Sequence, residues 1–435
     1  MIAGRRDRFA LPPYEDTSDR RADPADIRAF AYRFRMIEEL RPIAEAISAR
    51  GGRAIAVGGF VRDFLLGRPA KDLDVEVFGL TAADLEAALR GFGEVHAFGR
   101  SFPVMRVAGR QIDFSVAPRS DFAEAARRRD LTIDAIGLDP LSGEILDPLG
   151  GRADLAARVL RAADPRTFGS DPLRGLRVMQ VAARFAMEPD PELVALCRAL
   201  DLAGLPGERL LVEFDKLLLR AYQPSRGLEV LRRTGLARFF PELADPEGRE
   251  ASHTERALDA AARLRTGSRE APSPDDRALM YAMLLHNSRA ELARNFLERL
   301  RAPKALVAQV LALIEHARMP EALARAADPP AYRRLLRQLD AAGVSPQLLE
   351  RAARAAAEAR GRSFPEGGRF LAEVARLALL EGGPHDAVFG RHLLARGLAP
   401  GPEFARILAR CREVQDETGW SDPEAILRRA LDSSA

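Results

Sequence analysis

Asp72 and Asp74 stand two residues apart in the segment DLDVEVF (72–78), where charged and apolar residues alternate. That period of two predicts a strand with one buried face, and it sends both carboxylates out of the same side. Two carboxylates so placed can share a pair of divalent ions roughly 3.5–4 Å apart, the arrangement used for in-line phosphoryl displacement. Glu76 extends the same face. Taken alone, the pattern suits a solvated sheet edge at least as well.

The preceding segment, VGGFVRDFLLG (57–67), shifts the balance. A strand ends on two glycines and a helix starts at once. Glycines let a triphosphate approach the main chain, and a helix N-terminus offers unpaired N–H groups with a favourable dipole. Arg62 on the first turn adds a positive charge, and Gly67 closes the helix. The dinucleotide fingerprint GxGxxG is absent. A Walker A loop is excluded too, because Lys71, Lys216 and Lys304 are the only lysines and follow Ala70, Asp215 and Pro303. A glycine pair, a short helix and DxD within one short stretch is a much narrower signal than either half.

The elements that must position these groups are legible around them. Residues 54–57 read as a strand, and 104–107 with 111–116 read as a hairpin about Ala108-Gly109-Arg110. Helical patterns cover 60–66 and 81–92, the latter with Thr81 as N-cap. From about residue 155 the chain turns to Ala, Leu, Arg and Glu at helical spacing, broken by Pro/Gly-rich joints. A length of 435 residues predicts two to four domains, and 47% apolar with 30% charged residues is ordinary globular composition. Arginine supplies 63 of the 66 basic residues, which fits either codon bias or bidentate grip on phosphates. Cys197 and Cys411 match no disulfide framework or zinc motif, so reduced thiols are expected. No apolar run reaches a membrane span, and the N-terminus lacks a signal-peptide centre. The reading is a cytoplasmic protein with no membrane partner.

Three ordered blocks carry a resemblance. GGFVRDFLLGRPAKDLDVEVFG (58–79) resembles the signature of the class II tRNA nucleotidyltransferases and bacterial poly(A) polymerases, members of the polymerase-β-like superfamily. RRDLTIDA (128–135) resembles the family motif that holds the nucleotide's sugar and phosphates. The stretch 143–185 resembles the neck that selects the base, and GRHLLARGLAPGPEFARIL (390–408) the tRNA-binding tail. The resemblance implies an α+β fold, with a small mixed-sheet head followed by an all-α neck, body and tail. The implied division is a flexible segment 1–28, a catalytic head 29–155, a neck 156–249, a degenerate HD-like body 250–325 and a tail 326–435. It further implies that Asp72 and Asp74, with Asp113 as a third carboxylate, serve two Mg2+ ions. Gly58, Gly59, Arg62, Asp63, Arg129 and Asp130 would hold a CTP or ATP substrate, with Arg177 on phosphate, and the partner would be the tRNA acceptor end.

The resemblance also implies that protein side chains choose the base, at Asp171 and Arg174, expected at i and i+3 on one face of a helix starting near Pro172. A carboxylate accepts from the amino group of cytosine or adenine while a guanidinium donates to the neighbouring ring acceptor. Uracil and guanine reverse both contacts, and a buried unpaired charge costs enough for roughly 10²-fold discrimination or more. Ser170 and Gln180 depart from the family pattern, which has a carboxylate and an arginine there. After Asp113 the chain reaches the arginines with only residues 120–126 beyond VAPR (116–119). In the family a loop this short goes with enzymes that add CC and stop, leaving the terminal A to a separate enzyme. The rival readings are a poly(A) polymerase and a non-catalytic RNA-binding protein of the same fold. In the body, His253 and His286 match the HD pattern, but Asn287 replaces its aspartate, and an amide is a poor substitute for an anionic metal ligand. A helical scaffold with lapsed hydrolase chemistry is expected there.

Overall fold

The computed structural model describes residues 24–68, 72–99, 103–117, 121–243, 251–268, 271–326 and 328–432. Of the expected flexible N-terminal segment, residues 1–23 lie outside these. The chain divides into two compact units, Met1–Arg174 with Met187–Leu200, and Gly175–Ala186 with Asp201–Ala435.

The first unit is built on a mixed sheet. Helix α1 (Pro24–Ser48) buries Met36, Leu40, Ile43 and Ile47, a stripe at helical spacing, and packs on β1 (Arg53–Val57). The chain then forms α2 (Gly59–Leu65), β2 (Leu73–Phe78) and α3 (Ala82–Leu89). Thr81 caps α3 through a reciprocal box with Asp84, satisfying two of the helix's first N–H groups. Three strands follow, β3 (Val95–Phe98), β4 (Val104–Val107) and β5 (Ile112–Val116), then α4 (Phe122–Ala126). Short strands β6 (Gly137–Leu138) and β7 (Ile145–Leu146) complete the order β3-β4-β5-β2-β1-β6-β7. Only β2 and β5 run parallel; the other neighbours are antiparallel. Leu73, Val75 and Val77 of β2 are buried on one face beside Ile112 and Phe114 of β5, so the intervening carboxylates take the other.

Helix α5 (Gly151–Ala157) packs on the turn at 132–134, where a Cβ on Gly151 would lie 2.2 Å from the Thr132 carbonyl oxygen. Strand β8 (Val159–Leu160) precedes α6 (Arg174–Phe185) and pairs in parallel with β9 (Glu188–Pro189). That pairing returns the chain to the first unit after α6.

The described remainder of the second unit is helical. Phe214, Phe240 and Phe296 form an edge-to-face cluster at its core, with centroids 5.1 to 6.3 Å apart. The expected HD-like stretch forms helices Ala251–Arg263, Pro274–Leu285, Ala290–Arg299 and Lys304–His316. His253 and His286 meet there edge to face, with ring centroids 4.9 Å apart. Burial holds His286 down to about 4, against the Met283 carbonyl at its Nδ1. Cys197 and Cys411 are buried free thiols in different units. Among the described residues no helix is long and apolar enough to cross a membrane. The mixed-sheet head with a helical remainder is the α+β architecture expected from sequence.

Candidate active site

Strand register gathers the carboxylates. Asp74 is the Cα partner of Val57 on one side and of Asp113 on the other. Paired residues in a sheet share a face, so Asp74 and Asp113 emerge side by side, with Glu76 one step along and Asp72 just before the strand. Gly58 follows Val57 and therefore abuts the same spot. Its φ of 72° and ψ of −145° belong to glycine, and a Cβ there would lie 3.3 Å from Arg129 Nη1 and 3.7 Å from Asp74 Oδ2. Glycine keeps open the space over the carboxylate.

Two guanidiniums partly offset the acids. Arg129 Nη2 donates to Glu76 at 2.5 Å. Arg106, on β4 opposite Asp113, donates through Nε and Nη2 to the two Asp113 oxygens at 2.6 Å each. Asp74 reaches solvent but is crowded by protein on its other sides, and this desolvation raises its pKa. Arg129 opposes the shift, while Asp113, Asp72 and Glu76 reinforce it. Such crowding of like charge calls for a cation.

The fold family implies Mg2+, and the donors suit it. Asp72 and Asp74 are exposed carboxylates, the type of oxygen donor that ion prefers, in a field left net negative. Asp113, expected as a third ligand, has both oxygens on Arg106. Among the described residues no group of three or more His, Cys, Asp or Glu is assembled as a metal site.

The arginine motif is positioned by α4 and the segments behind it. Asp121 caps α4 by accepting from Ala123 N–H, and the helix delivers the chain into Arg127, Arg128 and Arg129. Asp130 is 7% exposed, and its backbone carbonyl accepts from Ala163. Thr132 donates its hydroxyl to Asp154 at 2.6 Å, fixing the turn to α5.

Several sequence expectations meet a different geometry. Arg62 was expected on phosphate, but it is 5% exposed and bonded to Asp63 and to Asp134, the latter at 2.6 Å. In the structure it braces α2 against the 132–134 turn, and Asp63 is its partner. Asp171 was expected on a helix face with Arg174. Helix α6 instead begins at Arg174, and Asp171 occupies the turn before it, accepting from Leu173 N–H at 3.1 Å. Arg174 donates to the carbonyls of Thr167 and Arg128, at 3.0 and 2.7 Å, and so ties the neck turn to the arginine motif. Arg177 and Gln180 lie on α6 within the second unit, Arg177 half-buried and Gln180 buried against Arg184. Gly59 opens α2 beside Gly58. The sequence reading missed Arg106: a hairpin turning on Ala108-Gly109-Arg110 would pair it with Ile112, whereas the strands pair one residue further along and set it across from Asp113.

A small mixed sheet with carboxylates at paired strand positions, beside a glycine turn and ahead of a helical body, defines a nucleotidyltransferase head of the polymerase-β-like class. Residues 100–161 match the family model described as the poly A polymerase head domain, and 186–245 the probable RNA and SrmB-binding site of polymerase A. A multifunctional CCA protein of Nitrosococcus oceani is 33% identical over 398 residues, 79% of this chain and 92% of that protein. A CCA-adding enzyme of Bordetella pertussis is 38% identical over 318 residues, 67% of this chain and 79% of the relative. The fold matches the solved CCA-adding enzymes of Thermotoga maritima, in complex with tRNA, and Bacillus stearothermophilus, in complex with CTP. TM-scores are 0.62 and 0.68 at 21% and 24% identity, covering 95% and 92% of this chain and 97% and 98% of those. This chain belongs to the tRNA nucleotidyltransferase and bacterial poly(A) polymerase family and is a nucleotidyltransferase.

Proposed function

We propose that this chain transfers cytidylate from CTP to the 3′ end of tRNA without a nucleic-acid template, releases pyrophosphate, and stops after two additions. The observation that carries the reading is the register of Asp74 with Asp113, beside Asp72 and under the open space left by Gly58. The names of the relatives support the substrate class.

Two Mg2+ ions, when bound at Asp72 and Asp74, supply activation of the terminal 3′-hydroxyl and stabilisation of the leaving pyrophosphate. Asp72 and Asp74 fix where those charges sit. Gly58 and Gly59 admit the triphosphate against the backbone, and Arg129 carries positive charge beside Asp74 toward it. Arg62 and Asp63 act indirectly, by holding α2 to Asp134. Asp130, buried next to Arg129 in sequence and tied through its carbonyl to Ala163, holds the motif in place. Asp171 and Arg174 read the base. Two of Arg174's five N–H donors are spent on the carbonyls of Thr167 and Arg128, which orients the guanidinium while leaving others for a ring acceptor. Arg177 contributes phosphate charge. In this reading residues 29–155 carry the chemistry, 156–249 choose the nucleotide, 250–325 are scaffold, and 326–435 hold the tRNA.

The stop after CC rests on the short connection between β5 and α4. It comprises residues 117–121, of which 118–120 lie outside the described residues. A segment that short gives little reach for reshaping a pocket from C to A. Full CCA addition is the second reading, favoured by the names its relatives carry. Incubating the chain with tRNA lacking its last three nucleotides, plus CTP and ATP, decides between them. The expected product ends in CC, and efficient CCA ends would overturn the loop argument.

A further inference from the structure

Arg106 was absent from the sequence reading, yet it is bonded directly into the acid cluster. Its guanidinium covers both oxygens of Asp113, the Cα partner of Asp74, and lies within electrostatic reach of Asp72 and Asp74 as well. The Arg106 side chain is 42% exposed and that of Asp113 is 23% exposed. A water-accessible pair of this kind opens at modest cost, unlike a buried one. The planar fork matches a carboxylate's geometry and puts a fixed positive charge where that carboxylate would otherwise face a cation. Glu76 is held by the arginine of the RRD motif. Arg106 comes from β4, the strand on the far side of Asp113.

We propose that Arg106 is a resident counter-ion of the carboxylate cluster, holding Asp113 out of the ligand set until a divalent ion displaces it. Ion binding at Asp72 and Asp74 then requires the Arg106 fork to let go of Asp113, and the cluster never stands with its charge unopposed. Arg106 is a positioning residue, acting through Asp113. The inference rests on the ion-binding reading of Asp72 and Asp74 given above.

The test titrates Mn2+ alone into full-length, metal-stripped protein without nucleotide or tRNA, followed by calorimetry or by the electron paramagnetic signal of free Mn2+. Arg106→Gln removes the competitor and is expected to tighten Mn2+ binding roughly five- to tenfold. Arg106→Lys, a point charge without the fork, is expected to fall between wild type and Arg106→Gln, and carries the test should the glutamine variant not fold. Asp74→Asn separates the two layers of the argument. If it leaves Mn2+ binding at wild-type strength, the ion-site reading fails and takes this inference with it. If Asp74→Asn abolishes binding but both Arg106 variants bind Mn2+ no tighter than wild type, Arg106 is only a tie between β4 and β5. The counter-ion role is then overturned while the ion site stands.

Discussion

Replacing Gly58 by alanine introduces a single methyl group, and the structure fixes what it meets. The backbone there has φ 72° and ψ −145°, a region essentially reserved for glycine, so any side chain costs about 1–3 kcal/mol in strain. The new Cβ would also stand 3.3 Å from Arg129 Nη1 and 3.7 Å from Asp74 Oδ2. Arg129 must give by a few tenths of an ångström, or the β1 end must shift away from Asp74. Misplacement of catalytic groups on the scale of an ångström costs about 10²-fold, so a loss of roughly 10- to 100-fold in kcat/KM is expected. Gly67→Ala is the matched control. Gly67 also has positive φ, at 70°, but nothing lies within 4 Å of its would-be Cβ. It should lose about 1–2 kcal/mol of stability and keep its turnover. The assay is CTP incorporation into tRNA lacking its 3′ terminus, with denaturant unfolding of both variants alongside. Equal activity losses in the two would refute the crowding argument and leave backbone strain as the whole effect. Wild-type activity in Gly58→Ala would refute the account of the glycine turn.

Other perturbations have equally definite outcomes. Gly151→Ala drives a Cβ to 2.2 Å from the Thr132 carbonyl, backbone that cannot swing aside, and should cost about 2–3 kcal/mol in chemical denaturation. Because burial lowers the His286 pKa to about 4, the unfolded chain binds more protons than the folded one between that value and 6.5. Stability should therefore fall as pH drops through this window, and His286→Gln should flatten the fall; an unchanged slope would remove His286 as its source. Arg174→Ala frees the Arg128 and Thr167 carbonyls and removes the proposed base reader. Discrimination of CTP over UTP should shrink by about tenfold or more in single-nucleotide assays, with stability little changed.

The carboxylate strand was legible because its chemical pattern and its folding signal coincide. Period-two alternation in 72–78 predicts both the buried Leu73, Val75 and Val77 and the exposed carboxylates between them. The glycine pair was legible for the same reason, since a strand end and an open approach ask for the same residue. Arg62 shows where local reading stops. Its position on the first turn of α2 suggested phosphate, but Asp134, 72 residues away in sequence, closes over it and buries the pair. Asp171 was misplaced by the ambiguity of helix starts near proline. The chain turns through Pro172 and Leu173 before α6 begins, so i and i+3 spacing did not mean a shared helix face. Arg106 was hidden by one step of register, because a turn on residues 108–110 pairs it with Ile112 while the folded strands pair it with Asp113. Only the pairing of strands, which no single segment reveals, turns an ordinary surface arginine into part of the site.

The central claim is that Asp72 and Asp74 serve nucleotidyl transfer to tRNA, and one experiment meets it directly. The full chain, with Mg2+ and CTP labelled at the α-phosphate, is incubated with tRNA truncated before its terminal CCA, beside Asp72→Asn and Asp74→Asn variants of verified folding. The account predicts label joined to the tRNA 3′ end with stoichiometric pyrophosphate from the wild type, and a loss of at least about 10³-fold in either variant. Labelled tRNA formed at wild-type rate by either asparagine variant, or no label transferred by the wild type, would contradict it.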